Sequence, residues 1–161
     1  MAEATILGIS PGTKYIGIAM LRNGDLLECK VKSFKGAWSD EKLEKVVLHI
    51  RSMIQQHAVK HIACKTNHES RTSFRVKAIM ERVQALALEF EIEFNKYSID
   101  DLKGLFKMHF HNTHILAEHI AKRFPELADI FMRERKSKNK YHYKVFEALA
   151  AGLYCHSSIS G

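Results

Sequence analysis

The stretch ILGISPGTKYIGIAML, residues 6–21, decides the fold. Two short apolar runs, Thr5 to Ser10 and Ile16 to Leu21, flank the turn cluster Pro11-Gly12-Thr13-Lys14, and this arrangement predicts a β-hairpin. Asn23-Gly24 follows the second run directly. Such a pair supplies the positive φ angles of a two-residue hairpin turn, so Asp25 to Phe34 is read as a third strand. Three consecutive antiparallel strands therefore open the chain.

Working outward, apolar residues change to helical spacing. From Ser39 or Asp40 as N-cap, Leu43, Val46, Val47, Ile50, Met53 and Ile54 recur on one face and predict a helix ending near His57. HIACK (61–65) reads as the next strand. Residues Ser70 to Phe90 again show helical spacing, with Phe74, Ala78, Val83, Leu86 and Phe90 expected in one buried sector. EIEFNKY (91–97) alternates and predicts a fifth strand. Ser98-Ile99-Asp100-Asp101 is a variant capping box opening a short helix through Phe106, and Asn112 or Thr113 caps another that ends before Pro125. After a further helical turn or two, RERKSKNK (133–140) breaks the pattern with dense positive charge. The last helix runs from Tyr143 to about His156, with Val145, Phe146, Leu149, Ala150 and Leu153 on its apolar side. Small residues at Ala148, Ala151 and Gly152 permit close approach to a sheet.

The order βββ-α-β-α-β-α-α predicts an α/β fold. It is a mixed five-stranded sheet, three strands antiparallel and then two parallel through right-handed crossovers, flanked by helices. With 161 residues, 46% of them hydrophobic, and no repeat or linker composition, one domain spanning 1–161 is expected.

Composition narrows the partners. Lys and Arg number 25 against 18 acids, a formal net charge of +7, and such a surface attracts polyanions by counterion release. Cys29, Cys64 and Cys155 lie far apart with no CxxC pair, which removes a disulfide framework and a zinc ribbon from consideration. Cys64 and Cys155 read as buried small hydrophobes, whereas Cys29 lies among charges. No basic leader precedes an apolar run, and no apolar stretch reaches the ~20 residues that span a bilayer, so a cytoplasmic location without membrane contact is expected.

The opening hairpin resembles that of the RuvC family of Holliday junction resolvases, within the RNase H-like superfamily. That family's pattern is an apolar strand ending in Asp, then Pro-Gly, a polar pair, and a second strand containing Gly. HIACK resembles the family's fourth strand, YSIDDLKGLF (97–106) the segment after its fifth, and KVFEALAAGLYC (144–155) its closing helix. The resemblance spans nearly the whole chain in order. It implies an RNase H-like fold, a nucleic-acid partner such as branched or double-stranded DNA, and a homodimer.

It also implies a pocket in which about four carboxylates hold two magnesium ions that activate water and steady a leaving phosphodiester oxygen. On the matched positions Ser10 stands where the family has Asp, Lys65 where it has Glu, and Lys144 where it has an acid or His. Only Glu147 remains acidic. The formal charges of these four sum to +1, two lysines against one glutamate. Magnesium demands hard oxygen ligands, so this pocket is expected to hold no metal and to have lost two-metal hydrolysis. A lysine paired with Glu147 is expected in the space instead.

Two other functions compete with a catalytically inactive nucleic-acid-binding domain. An active magnesium-dependent, structure-selective endonuclease would need relocated ligands, for which Glu69, Asp100 and Asp101 are the candidates. A dimeric scaffold would need no nucleic acid. His109, His111 and His114 have spacing compatible with a transition metal if the loop folds back, and His68 and His142 lie near the pocket in sequence. Lys14, Arg71, Arg75, Arg133, Arg135, Lys136, Lys138 and Lys140, with Lys30, Lys32 and Lys35, are the expected phosphate contacts around the pocket mouth.

Overall fold

In the computed structural model, which describes residues 4–67, 72–105, 113–136 and 143–160, the first three strands are β1 (Thr5–Ser10), β2 (Tyr15–Arg22) and β3 (Asp25–Ser33). They form antiparallel pairs, with Ser10 opposite Gly17 and Tyr15 opposite Ser33. Asn23 and Gly24 both adopt the positive φ angles that the tight β2–β3 turn requires. β4 (Val59–Thr66) runs parallel to β1, and β5 (Glu93–Ser98) runs parallel to β4. The sheet order is β3-β2-β1-β4-β5, which is the mixed sheet expected from the sequence.

Alternation along the strands divides the molecule into two cores. Leu7 and Ile9 of β1, Ile16, Ile18 and Met20 of β2, and Ile62 of β4 face α1 (Asp40–His57) and α2 (Phe74–Glu89). Ile6, Ala19, Leu21 and Ala63 face the other way, toward α6 (Tyr143–Ser160). Over α6 lie α4 (Thr113–Arg123) and α5 (Ala128–Lys136), separated by a 3-10 turn over Pro125–Leu127. α6 is thus packed on two sides, and residues 145–153 are all buried. β1 is buried along its whole length because both of its faces are covered.

Small residues set the distance between α6 and the sheet. A Cβ added to Gly8 would lie 2.1 Å from the Ala148 carbonyl oxygen, and one added to Gly17 would lie 2.1 Å from that of Lys144. Any larger side chain on this face of β1 or β2 would push the helix away.

Helix ends follow the sequence signals where polar caps are present. Ser39 accepts a hydrogen bond from the Lys42 amide, and Ser73 accepts one from the Val76 amide. The capping box that opens α3 (Ile99–Leu105) is reciprocal: Ser98 donates its amide to Asp101 Oδ2 at 2.8 Å, and the Asp101 amide donates to Ser98 Oγ at 3.2 Å.

Four expectations need correction. α2 starts at Phe74 rather than Ser70, because Ser73 is its N-cap. Phe74 is 71% exposed, because the buried stripe of α2 is Ile79, Val83, Leu86 and Ala87, and a residue five positions before Ile79 points about 140° away. α5 continues through Arg133 to Lys136, so the basic run does not end that helix at 133, and α6 extends beyond His156 to Ser160.

Candidate functional site

Strand periodicity explains why the pocket residues meet. Ser10 continues the α6-facing series Ile6, Gly8, Ser10 on β1, and Lys65 continues His61, Ala63, Lys65 on β4. The parallel register pairs Ile9 with Cys64, which sets Ser10 beside Lys65 at the carboxyl ends of two central strands. On α6, Lys144, Glu147 and Ala148 are spaced by three and four residues and face the sheet together, Ala148 over Gly8 of β1 and Lys144 over Gly17 of β2.

Glu147 is at the centre. It is 7% exposed, and Ser10 is 1% exposed. Ser10 Oγ donates to Glu147 Oε1 at 3.2 Å, and Lys65 Nζ pairs with Glu147 Oε2 at 2.7 Å. Lys65 Nζ also donates to Asn67 Oδ1 at 2.7 Å. Lys144 Nζ donates to the Pro11 carbonyl at 3.4 Å, which ties α6 to the β1–β2 turn. Burial pushes the Lys144 ammonium below its usual pKa range, the Glu147 carboxylate pulls it back up, and the Lys65 ammonium pushes it further down. Both carboxylate oxygens are therefore engaged by donors from this chain.

This donor set does not fit a divalent cation. Glu147 supplies the hard oxygen ligands, but Lys65 lies against one of its oxygens, and Lys144 places a second ammonium close enough to interact with both. Two unit charges ~4 Å apart interact by about 4 kcal/mol at an effective dielectric near 20, so two ammonium groups outweigh one carboxylate as seen by an incoming cation. Among the described residues no group of three His, Cys, Asp or Glu side chains is placed to hold a metal ion. Of the carboxylates expected to rebuild such a centre, Asp101 is used in capping α3, and Glu69 lies outside the described residues.

The remaining expected residues are dispersed. Lys14 is exposed on the β1–β2 turn, and Arg133 is exposed on α5. Arg75 is exposed at the start of α2, with its guanidinium 5.5 Å from the centroid of the Phe74 ring. His68, Arg71, His109, His111, Lys138, Lys140 and His142, and the side chains of His114, Arg135 and Lys136, lie outside the described residues. Cys64 and Cys155 are buried and Cys29 is half-buried, all three free. Burial pushes the Cys64 thiol up to about 12, so it is inert as a nucleophile in the folded protein.

Two participants escaped the sequence reading. Asn67 follows the end of β4 and carries no periodic signal, so nothing in the sequence links it to Lys65. Lys42 is different. It is 6% exposed and precedes Val46 by four residues on the buried stripe of α1, so a lysine in an apolar series was the available signal.

The fold defined by this sheet order and by the closing helix across β1 and β2 is RNase H-like, of the RuvC kind. Two solved structures of RuvC from Thermus thermophilus superpose on it over 98% of this chain and 96% of theirs. One, in complex with a Holliday junction substrate, gives a TM-score of 0.70 at 15% identity, and the other gives 0.71 at 14% identity. No protein-family model and no curated protein sequence matches the chain.

Proposed function

We propose that this chain is a nucleic-acid-binding domain on a RuvC-like scaffold that no longer performs two-metal phosphodiester hydrolysis. The observation that carries the reading is the state of Glu147, whose two oxygens are taken by Ser10 and Lys65. Ser10, Lys65 and Lys144 occupy the positions at which the family resemblance calls for acids. The interactions they make with Glu147 and the Pro11 carbonyl form a self-contained polar cluster. Such a cluster keeps a formal charge of +1, two lysines against one glutamate, and leaves little for a cation to gain.

Nucleic acid as the partner is supported by the net charge of +7 and by the fold shared with a protein whose solved structure holds a Holliday junction. Lys14, Arg75 and Arg133 are exposed cations suited to phosphate contacts. Arg71, Arg135, Lys136, Lys138 and Lys140 are proposed as further phosphate contacts on their charge and place in the sequence alone.

The test is an assay of four-way junction and duplex DNA with and without magnesium or manganese. Binding that weakens steeply with salt, and no cleavage in either metal, is the expected result. Metal-dependent cleavage that disappears in a folded Glu147→Gln protein would overturn the proposal in favour of an active resolvase. Absence of any salt-dependent binding would instead favour the scaffold reading.

A further inference from the structure

The corner where β3 leaves the sheet and α1 begins collects lysines in two clefts, while the acids of the first turn of α1, Asp40 and Glu41, lie outside the cleft linings, Glu41 at 3.9 Å from the exposed Lys45 ammonium. One cleft there, of about 320 Å³, is lined by Lys14, Tyr15, Ser33, Phe34, Lys35, Gly36 and Lys42. A second cleft shares Ser33, Phe34 and Lys35 with the first and adds Lys32, Lys45 and His49. No carboxylate lines either cleft.

The physical oddity is Lys42. Its ammonium donates to the Gly36 carbonyl at 2.9 Å, and among the described residues no carboxylate pairs with it, although the residue is 6% exposed. A buried ammonium is ordinarily matched by an acid, because removing a charge from water costs several kcal/mol. Gly36 adopts a φ of 92°, a conformation that favours glycine and that sets the loop carrying this carbonyl. Three lysines thus line one cleft with no carboxylate among its lining, an arrangement that suits an incoming anion.

The corner adjoins the Glu147 cluster. The Phe34 amide donates to the Lys14 carbonyl at 3.3 Å, and the same turn offers the Pro11 carbonyl to Lys144. The cleft and the cluster lie at one end of the sheet, beyond Ser10 of β1 and Ser33 of β3.

We infer that this corner is a phosphate-binding subsite, in which Lys14, Lys35 and Lys42 hold a backbone phosphate of a bound nucleic acid and Lys32 and Lys45 hold a neighbouring one. The inference rests on the nucleic-acid reading above and adds where the strand runs: across the β1–β2 turn toward α1. Lysines act here as point charges on phosphate, which gives affinity and register without base preference.

The experiment is fluorescence anisotropy of labelled four-way junction and duplex DNA over about 50–200 mM salt, a range in which phosphate contacts dominate the response. It compares the native protein with Lys14→Gln/Lys35→Gln, with Lys42→Met, and with Lys60→Gln/Lys122→Gln. The last pair removes equal charge from other surfaces, Lys60 lying near the start of β4. The salt slope of log K is expected to fall by about 1.8 for Lys14→Gln/Lys35→Gln, the loss of two phosphate contacts, and by less for the control pair. Both residues of the first pair are exposed, so this arm stands even if Lys42→Met fails to fold. Native binding with equal losses in the two double variants would overturn the subsite and leave the nucleic-acid reading standing. No binding by the native protein would overturn both.

Discussion

At the residue scale, the Glu147 cluster behaves as one unit. Glu147→Gln leaves the Lys65 ammonium in a mostly buried position with only Asn67 and a neutral amide as partners, so it is expected to destabilise the fold by about 3 kcal/mol. Lys65→Met combined with Glu147→Leu removes both charges and is expected to cost less than Glu147→Gln alone, measured by urea denaturation. Strict additivity would argue against the pair. Lys144 gives a pH-dependent counterpart. Its folded pKa lies below the ordinary lysine value, so between the two the unfolded chain binds more protons and stability rises with pH. Below the folded pKa the burial penalty is present in full. Lys144→Met should therefore be more stable than the native protein at pH 7, and the advantage should shrink as pH approaches ~10.4, read from melting temperatures across that range. A gap that does not change with pH would contradict the assignment.

At the element scale, the distance from α6 to the sheet governs the site. Gly17→Ala would place a methyl group 2.1 Å from the Lys144 carbonyl oxygen, which is backbone and cannot swing aside. The expected loss is about 3 kcal/mol or more, at the upper end for overpacking, seen as a lower midpoint in denaturant. Gly24 makes the contrast of a glycine kept for its turn, with a φ of 81°, where an added Cβ would meet only the His156 imidazole, at 3.2 Å.

Much of the fold was legible at this scale, because alternation in residues 6–21 and the Asn23-Gly24 turn are local signals that tertiary packing reinforces. Ser39 and Ser98 likewise marked the helix starts they cap. Phe74 is exposed against expectation because its i+4 spacing to Ala78 follows a row beside the buried stripe of Ile79, Val83, Leu86 and Ala87, and at the first helical position it has no preceding turn to cover it. The Glu147 pairing was legible in kind, since a lysine facing the glutamate was expected. Which lysine takes it depends on the β1–β4 register, which brings Lys65 to 2.7 Å and leaves Lys144 on the Pro11 carbonyl. Lys42 is hard to place from sequence because its charge argues for solvent while its position belongs to the apolar stripe.

At the scale of the whole molecule, the question is whether the scaffold tolerates the charge reversal that separates this pocket from an acidic one. Ser10→Asp, Lys65→Glu and Lys144→Asp together would leave four carboxylates around the Glu147 position. That triple variant is expected to be less stable than the native protein without metal, through like-charge repulsion. It should then recover about 2.7 kcal/mol when manganese reaches a hundredfold excess over its dissociation constant. The native protein's melting temperature should respond to manganese no more than to a sodium salt of equal ionic strength. A specific rise for the native protein would mean that Lys65 yields its place to the ion.

The hydrogen bond between Ser10 and Glu147 joins residues 137 positions apart, one on the first strand and one on the last helix. During synthesis on the ribosome the five strands are complete long before α6 emerges. Until then the face of β1 and β2 that carries Ile6, Gly8, Ala19 and Leu21 has no cover, and Lys65 has no acidic counterpart. The nascent chain therefore passes through a stage with an open apolar sheet face, the kind of intermediate that chaperones recognise. Truncation before Glu147 would arrest it there.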